Sequence, residues 1–445
     1  MLNASRNHAA RTWVWVVVTL FVFLPLFSLV IYRITGDSAL RKALETLQAQ
    51  GHPVTLEELN DRYAIPPGAE NAVDLYLNAF SHLVKRDDNI AQDLPLAGDA
   101  DLPARTAPFP TPMQDAIQQH LAANQETLIL LHEAANVPHC RYPVDLSQGF
   151  DTVMPWLKDV RTSTRLLQLE AMVHIDSNDL DSAIDSVQSG MALGRSLQAS
   201  TLVEQLVRIA VLAVNLQTME RLVNQATLSD AQLLALTDII RSENVKAGLY
   251  RAIQGERCVG LTMYRSPSTI SLGNNSMKTQ VRIMWPMRAV GYLQRDSVCY
   301  LNLMQDMLEA LELPTHEGIK KAGQINVKNY GGLFTRILAP ALARVAQLTG
   351  RAYADQHAAL IALAIERYRL AHSRLPDRLE ALVPDFLKTV PLDPFDGQPL
   401  RYQQRSPGYV VYSIGEDLTD DGGKERAKKR GNQKQPWDVT FIVER

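Results

Sequence analysis

Apolar and polar positions along this chain follow three regimes. From Trp13 to Tyr32 the run WVWVVVTLFVFLPLFSLVIY holds twenty residues without a charge. At about 1.5 Å per residue such a helix matches the roughly 30 Å of a bilayer's hydrocarbon core. Trp13, Trp15 and Tyr32 sit near its ends, where amphipathic rings prefer the interface, and Pro25 is tolerable inside it. A cleaved signal peptide would need a shorter apolar core and a small-residue cleavage site, and IYRITGDSAL offers only a weak one. The expectation is therefore an uncleaved anchor in a bacterial inner membrane, crossing once. The short tail with Arg6 and Arg11 is expected to stay in the cytoplasm, which places the body in the periplasm.

From Gly36 to about Gly350 the apolar positions recur at helical spacing. Thr55 to Glu58 and Ser229 to Gln232 read as capping boxes. Val160, Leu167 and Ala171 form one stripe, which ends at the Asp176-Ser177-Asn178-Asp179 turn. Ala183, Ile184, Val187, Met191 and Gly194 form a second, and Leu202, Leu206, Ile209, Ala213, Leu216 and Leu222 a third. Small residues at Ala183, Gly190 and Gly194 are placed like the close-packing positions of a tetratricopeptide-like hairpin, although no 34-residue period repeats. The segment from Asp87 to Thr111 is rich in Asp, Pro and Ala and reads as a linker.

The final stretch changes period. DQHAALIALAIERYRLAH, from Asp355 to His372, is an amphipathic helix stopped by Pro376, whereas QPLRYQQ, GYVVYSI and DVTFIVE read as three strands. Arg405-Ser-Pro-Gly408 is the turn between the first two. The expected fold class is mainly α: a single N-terminal transmembrane helix, a helical bundle or repeat-like body, and a small α+β C-terminal module. In residue terms these are a tail (1–12), the transmembrane helix (13–33), a small helical segment (37–86), the linker (87–111), the helical body (112–350) and the module (351–445).

Charge and composition narrow the function. The 45 basic and 48 acidic residues leave a net charge of −3, which argues against nucleic acid as the main partner. Cys140, Cys258 and Cys299 form no CxxC pair, so neither a zinc site nor a disulfide framework is expected. His132, Glu133, His139 and Cys140 are the densest group of reactive types, but HEAAN is not HExxH, and the group reads as a helix end and a turn. His174 reads as a core histidine. MKTQVRIMWPMRAVGYLQRD carries Lys278, Arg282, Arg288 and Arg295 among Ile283, Met284, Trp285, Val290, Tyr292 and Leu293, the pattern of a basic membrane-surface segment or of plain core.

The C-terminal motifs run in a fixed order: Ala364-Ile365-x-x-Tyr368-x-Leu370 and Leu375-Pro376; Leu379-x-x-Leu382-Val383-Pro384; Val390-Pro391-x-Asp393-Pro394-Phe395; and Tyr412-Ser413-Ile414-Gly415-x-Asp417. In this order they resemble the head of the major pseudopilin of type II secretion systems, over about residues 351 to 445. The rest of the chain resembles, more loosely, uncharacterised membrane-anchored bacterial helical proteins. The chain departs from the pseudopilin pattern in lacking a Gly-Phe-Thr-Leu-x-Glu entry at its first helix and in placing a long helical body before the head. The resemblance implies a Ca²⁺ site: Asp417 and the Ile414 carbonyl match the family ligands, Asp438 matches the aspartate before the last strand, and Asp420 or Asp421 would complete the shell. Clustered carboxylates suit a hard cation with six to eight oxygen ligands, whereas the basic insert KERAKKRGNQK opposes one.

The expected function is a membrane-anchored envelope interaction or scaffold protein. Its partners would be other envelope proteins, among them components of a secretion or pilus-like assembly. The rival is an envelope hydrolase whose residues converge only in the fold, which requires a pocket lined by His, Asp and Glu. A third reading, capture of a small ligand, requires a closed apolar cavity.

Overall fold

The computed structural model describes residues 2–144, 152–198, 200–265, 286–325, 330–426 and 437–445. The chain is mainly helical, with one small sheet. Helix α1 (Leu2–Ala49) is longer than the apolar run predicts: it passes through Pro25 and Arg33 without a break and enters the body as the same helix. Its apolar part is long enough to cross a membrane. Large side chains from Phe21 to Ile34 are exposed, while Leu47 is buried and packs with Val54, Leu261 and Leu301. The capping boxes at Thr55 and Ser229 both form, at the starts of α2 (Leu56–Arg62) and α9 (Asp230–Arg241). Each joins two otherwise orphaned helix-end donors to side-chain acceptors.

The body is built along α13 (Leu333–His372), whose 40 residues give a rod of about 60 Å. Residue 351, where the C-terminal module is expected to begin, lies inside this helix. The first half of α13 contributes Ala339, Leu342, Val345 and Ala346 to one core. That core also holds α10 (Val245–Arg265) through Leu249 and Ile253, α11 (Tyr292–Glu312) through Tyr300, Leu303 and Met304, and α12 (Thr315–Gly323) through Ala322. Its second half contributes Ile361, Leu363, Ile365 and Tyr368 to a separate core that takes in the sheet. Burying each such aliphatic side chain stabilises by about 1.5–3 kcal/mol. The start of α13 is capped from another element. Asp296 of α11, 1% exposed, accepts from Phe334 N at 2.9 Å, Thr335 N at 3.2 Å and Thr335 Oγ1 at 2.7 Å. A carboxylate at a helix N-terminus meets both the free N–H groups and the helix dipole.

The three stripes of the middle region become α6 (Trp156–Asp176), α7 (Leu180–Ser196) and α8 (Leu202–Gln225). Asn178 takes φ +57° in the turn, and Asp179 caps α7. A Cβ at Gly190 would stand 2.3 Å from Asn215 Oδ1, and one at Gly194 2.9 Å from Val211 Cγ1, so these glycines let α7 lie close on α8. Helices α3 (Val73–Ser81), α4 (Thr111–Ala123) and α5 (Gln125–Ala135) cover the outer side of this hairpin.

The 87–111 segment is more than a spacer. Leu94 and Phe109 are buried against Ile117, Leu169 and Met172. Arg105 reaches Glu220 at 2.9 Å, and Arg221 stacks 4.7 Å over the Phe109 ring. Its polar composition and prolines hide these few anchors.

Strands β1 (Arg401–Gln404), β2 (Tyr409–Ser413) and β3 (Val439–Val443) form an antiparallel sheet in that order. Apart from two isolated bridges, strand pairing among the described residues is confined to this sheet, as the switch of period predicts. The 405–408 turn forms, with Arg405 N donating to Gly408 O at 2.7 Å and Gly408 at φ +84°. All of β2 is buried: Tyr409 and Val411 face α13, while Val410 and Tyr412 face the loop that carries Gly423.

Candidate functional site

Three helices converge on an open, polar pocket of about 360 Å³. Helix α5 supplies His132 and Asn136, α6 supplies His174, and α7 supplies Ser182, Asp185, Ser186 and Ser189. The α7 residues are three and four apart, so a helix aligns them on one face. His132 Nδ1 lies 2.8 Å from Ser189 Oγ, and its Nε2 lies 2.9 Å from Glu170 Oε2. Ser186 Oγ donates to the same Glu170 oxygen at 2.8 Å. The hydrogen bond to Glu170 raises the His132 pKa above the usual imidazole value, against the opposing effect of burial. Across the pocket, His174 Nδ1 sits 3.4 Å from Asp179 Oδ2.

His132 does stand in the last turn of α5, as expected, but it is also part of a Ser–His–Glu chain whose other members lie 38 and 57 residues away. A second reading is corrected. His174 is half-exposed on the pocket wall and not a core histidine. The local grouping with His139 and Cys140 dissolves. His139 gives its carbonyl to Ala72 N, and burial pushes the Cys140 thiol up to about 12, a protonated and unreactive form. The legible signal was the hydroxyl stripe Ser182, Ser186, Ser189, which apolar patterning passes over.

Chemically, Glu170 orients His132, and His132 in turn can accept a proton from Ser189. Ser189 lies in the middle of α7 and is only 4% exposed. Its backbone N–H belongs to the helix ladder, so side-chain amides such as Asn136 and Gln188 would have to stabilise a developing oxyanion.

The expected calcium residues are held differently. Asp438 is buried, and its Oδ2 accepts from Gly423 N at 2.7 Å and Asp421 N at 3.1 Å. Asp420 Oδ1 accepts from Gly422 N at 2.9 Å, and Arg401 Nε lies 3.6 Å from its Oδ2. Asp417 turns outward and accepts from Thr419 N at 3.1 Å, away from Asp438's donors. Ile414 gives its N–H to Asp393 Oδ2 at 3.0 Å. Among the described residues no three His, Cys, Asp or Glu side chains are gathered to hold a metal. Asp421 Oδ2 is buried without a hydrogen-bond partner beside Asp438, a feature of the loop that suits a cation. Residues 427–436 of the basic insert lie outside the described residues, as do Lys278, Arg282, Ile283, Met284 and Trp285.

The motifs quoted for the resemblance do meet. Asp393 of the Pro391–Phe395 run is fully buried and accepts from Ser413 Oγ, Ile414 N and Phe395 N at 2.9–3.0 Å. Arg401 Nη1 completes its shell at 2.8 Å. Glu366 of α13 accepts from the Tyr409 hydroxyl at 2.9 Å and from Arg445 at 2.6 Å, fastening helix, sheet and C-terminus together. No family model, no curated protein and no solved structure matches the chain.

Proposed function

We propose that the chain is a single-pass inner-membrane protein of the bacterial envelope that works by binding other proteins. Its helical body stands outside the cytoplasm, and its C-terminal module is presented away from the bilayer. The observation that carries this reading is the continuity of α1. One helix holds the exposed apolar stretch and then packs into the body, so the anchor sets the body's position and does not merely tether it. The rod of α13, about 60 Å long, carries the sheet module along its second half, within reach of partners in an envelope assembly. Association with a secretion or pilus-like assembly is the specific form suggested by the pseudopilin-like motif order. Crosslinking in intact cells followed by mass spectrometry tests it: secretion components should be recovered through the C-terminal module. Recovery of the chain alone contradicts it.

Calcium in the Asp417–Asp438 loop belongs to the same proposal, supported by the unpartnered Asp421 oxygen. Millimolar calcium should raise the melting midpoint of the full chain relative to chelator, and an Asp421→Ala variant should lose that response. Equal midpoints in both conditions remove the site.

The hydrolase reading is favoured by one observation, the Ser189–His132–Glu170 chain in an open pocket. It predicts labelling of Ser189 by a fluorophosphonate and loss of labelling in Ser189→Ala and His132→Ala. An unlabelled parent chain excludes it.

A further inference from the structure

The end of the body that meets α1 carries a second apolar feature. At the charged end of the apolar run, Arg33 Nη1 donates to Ala289 O at 3.3 Å. Arg295 reaches Thr35 Oγ1 at 2.7 Å and lies 4.0 Å over the Tyr32 ring. Gly291, at φ +86°, lets the chain pass against α1; a Cβ there would stand 2.7 Å from the Arg33 Cα. Helix α11 starts at the next residue, and its Tyr292 hydroxyl accepts from Leu333 N at 3.1 Å. The first turn of α13 therefore lies one side chain from the level at which the apolar run of α1 ends at Arg33.

On that turn Leu333 is 46% exposed and Ile337, four residues on and on the same face, is 63% exposed. The apolar exposure then fades. Further along this face Arg344 meets Glu416 at 2.5 Å, so the stripe becomes polar as it leaves the α1 level. Arg336 is exposed at the same end. Among the described residues, Asp296 is buried under the α13 amides, and Asp37 lies 3.9 Å from Arg33.

We propose that the first two turns of α13 form a second membrane contact, with Leu333 and Ile337 entering the headgroup layer and Arg336 facing anionic lipid. The inference rests on the reading of α1 as a membrane span. Aliphatic side chains beside an arginine suit an anionic interface, to which such a cation adds about 1 kcal/mol. With α1 it would make two contacts, which fix the tilt of the body where one leaves it free.

The test uses the full chain in nanodiscs containing phosphatidylglycerol, with an environment-sensitive label on Leu333→Cys, Ile337→Cys, Phe23→Cys in the anchor, or Leu234→Cys on α9. The unsubstituted chain corrects for its own cysteines. Nitroxide lipid should quench the labels at 23, 333 and 337 and leave 234 bright. Quenching at 333 and 337 should fall when phosphatidylcholine replaces the anionic lipid, while that at 23 persists. Quenching at 23 without quenching at 333 and 337 overturns this inference and leaves the anchor standing. A shielded but unquenched label at 333 marks a protein partner and overturns it too. Equal quenching in neutral discs overturns the role of Arg336, and no quenching at 23 removes the anchor reading along with it.

Discussion

Helices α1 and α8 are both long and apolar enough to cross a membrane, yet 6% of the apolar stretch of α1 from Phe21 onward is buried, against 61% of that in α8. The difference lies in the polar positions. Helix α8 carries Gln205, Arg208, Asn215 and Thr218 on buried faces; Asn215 and Thr218 donate to carbonyls of their own helix, whereas Gln205 donates to Val245 O of α10 and Arg208 finds partners on other elements. Arg208 Nη2 lies 2.7 Å from Glu243, and its Nη1 donates to Leu197 O at 3.2 Å. A bilayer core offers no such acceptors, so these groups specify a protein interior. The exposed apolar side chains of α1 from Phe21 to Ile31 ask for no partner beyond apolar contact.

The largest expected effect breaks α8 and spares α1. Arg208→Ala leaves Glu243 buried and unpaired and should cost about 3–5 kcal/mol in denaturant unfolding. Phe23→Ser and Phe27→Ser in α1 should leave the unfolding midpoint of the body within about 0.5 kcal/mol while weakening membrane retention. A comparable loss of body stability in both would erase the distinction.

Next comes the packing behind α8. A Cβ at Gly255 of α10 would fall 1.7 Å from Ser200 O, a backbone atom that cannot rotate away. Gly255→Ala should therefore destabilise by about 3 kcal/mol, checked by the same unfolding measurement. The unhindered Gly51→Ala, where nothing lies within 4 Å although φ is +75°, should cost about 1 kcal/mol.

These two regions also mark what the sequence made legible. The apolar run, both capping boxes, the three helical stripes and the three strands could be read because each is a local pattern with its own period. The 87–111 anchors, the Asp296 cap and the His132 pocket could not. Each depends on side chains far apart in the chain, and single residues such as Phe109 or Glu170 carry no period. Arg33 also misled locally. A charge after an apolar run reads as a helix limit, but here it marks where α1 leaves its apolar stretch without breaking.

A third effect separates interior carboxylates from surface ones by pH. Burial pushes Glu256 of α10 up to about 7 from an ordinary 4.5. The folded chain thus keeps a proton that the unfolded chain has released. Stability from this group is fully present below pH 4.5 and is lost as pH climbs through about 7. Glu256→Gln should remove that decline and gain on the order of 2 kcal/mol at pH 8 relative to the parent chain, read from paired pH–stability curves.

The smallest effect concerns the pocket. Because the His132 pKa is raised by Glu170, their pairing stabilises fully below the ordinary histidine value of 6.5 and fades as pH rises through the higher folded value. Glu170→Gln should cost about 1–2 kcal/mol at pH 5.5 and less at pH 9. A cost that does not depend on pH would mean that His132 stays neutral and that the chain of bonds is only packing.

The most direct test of the contrast between the two helices is alkaline carbonate extraction of membranes carrying the full chain or a chain that begins at Arg33. The full chain should remain in the pellet. The shortened chain, which keeps all of α8, should be released as a folded body with an unchanged melting midpoint. Retention of the shortened chain in the pellet would show that α8 or another part of the body enters the bilayer, and would contradict the assignment of α1 as the anchor.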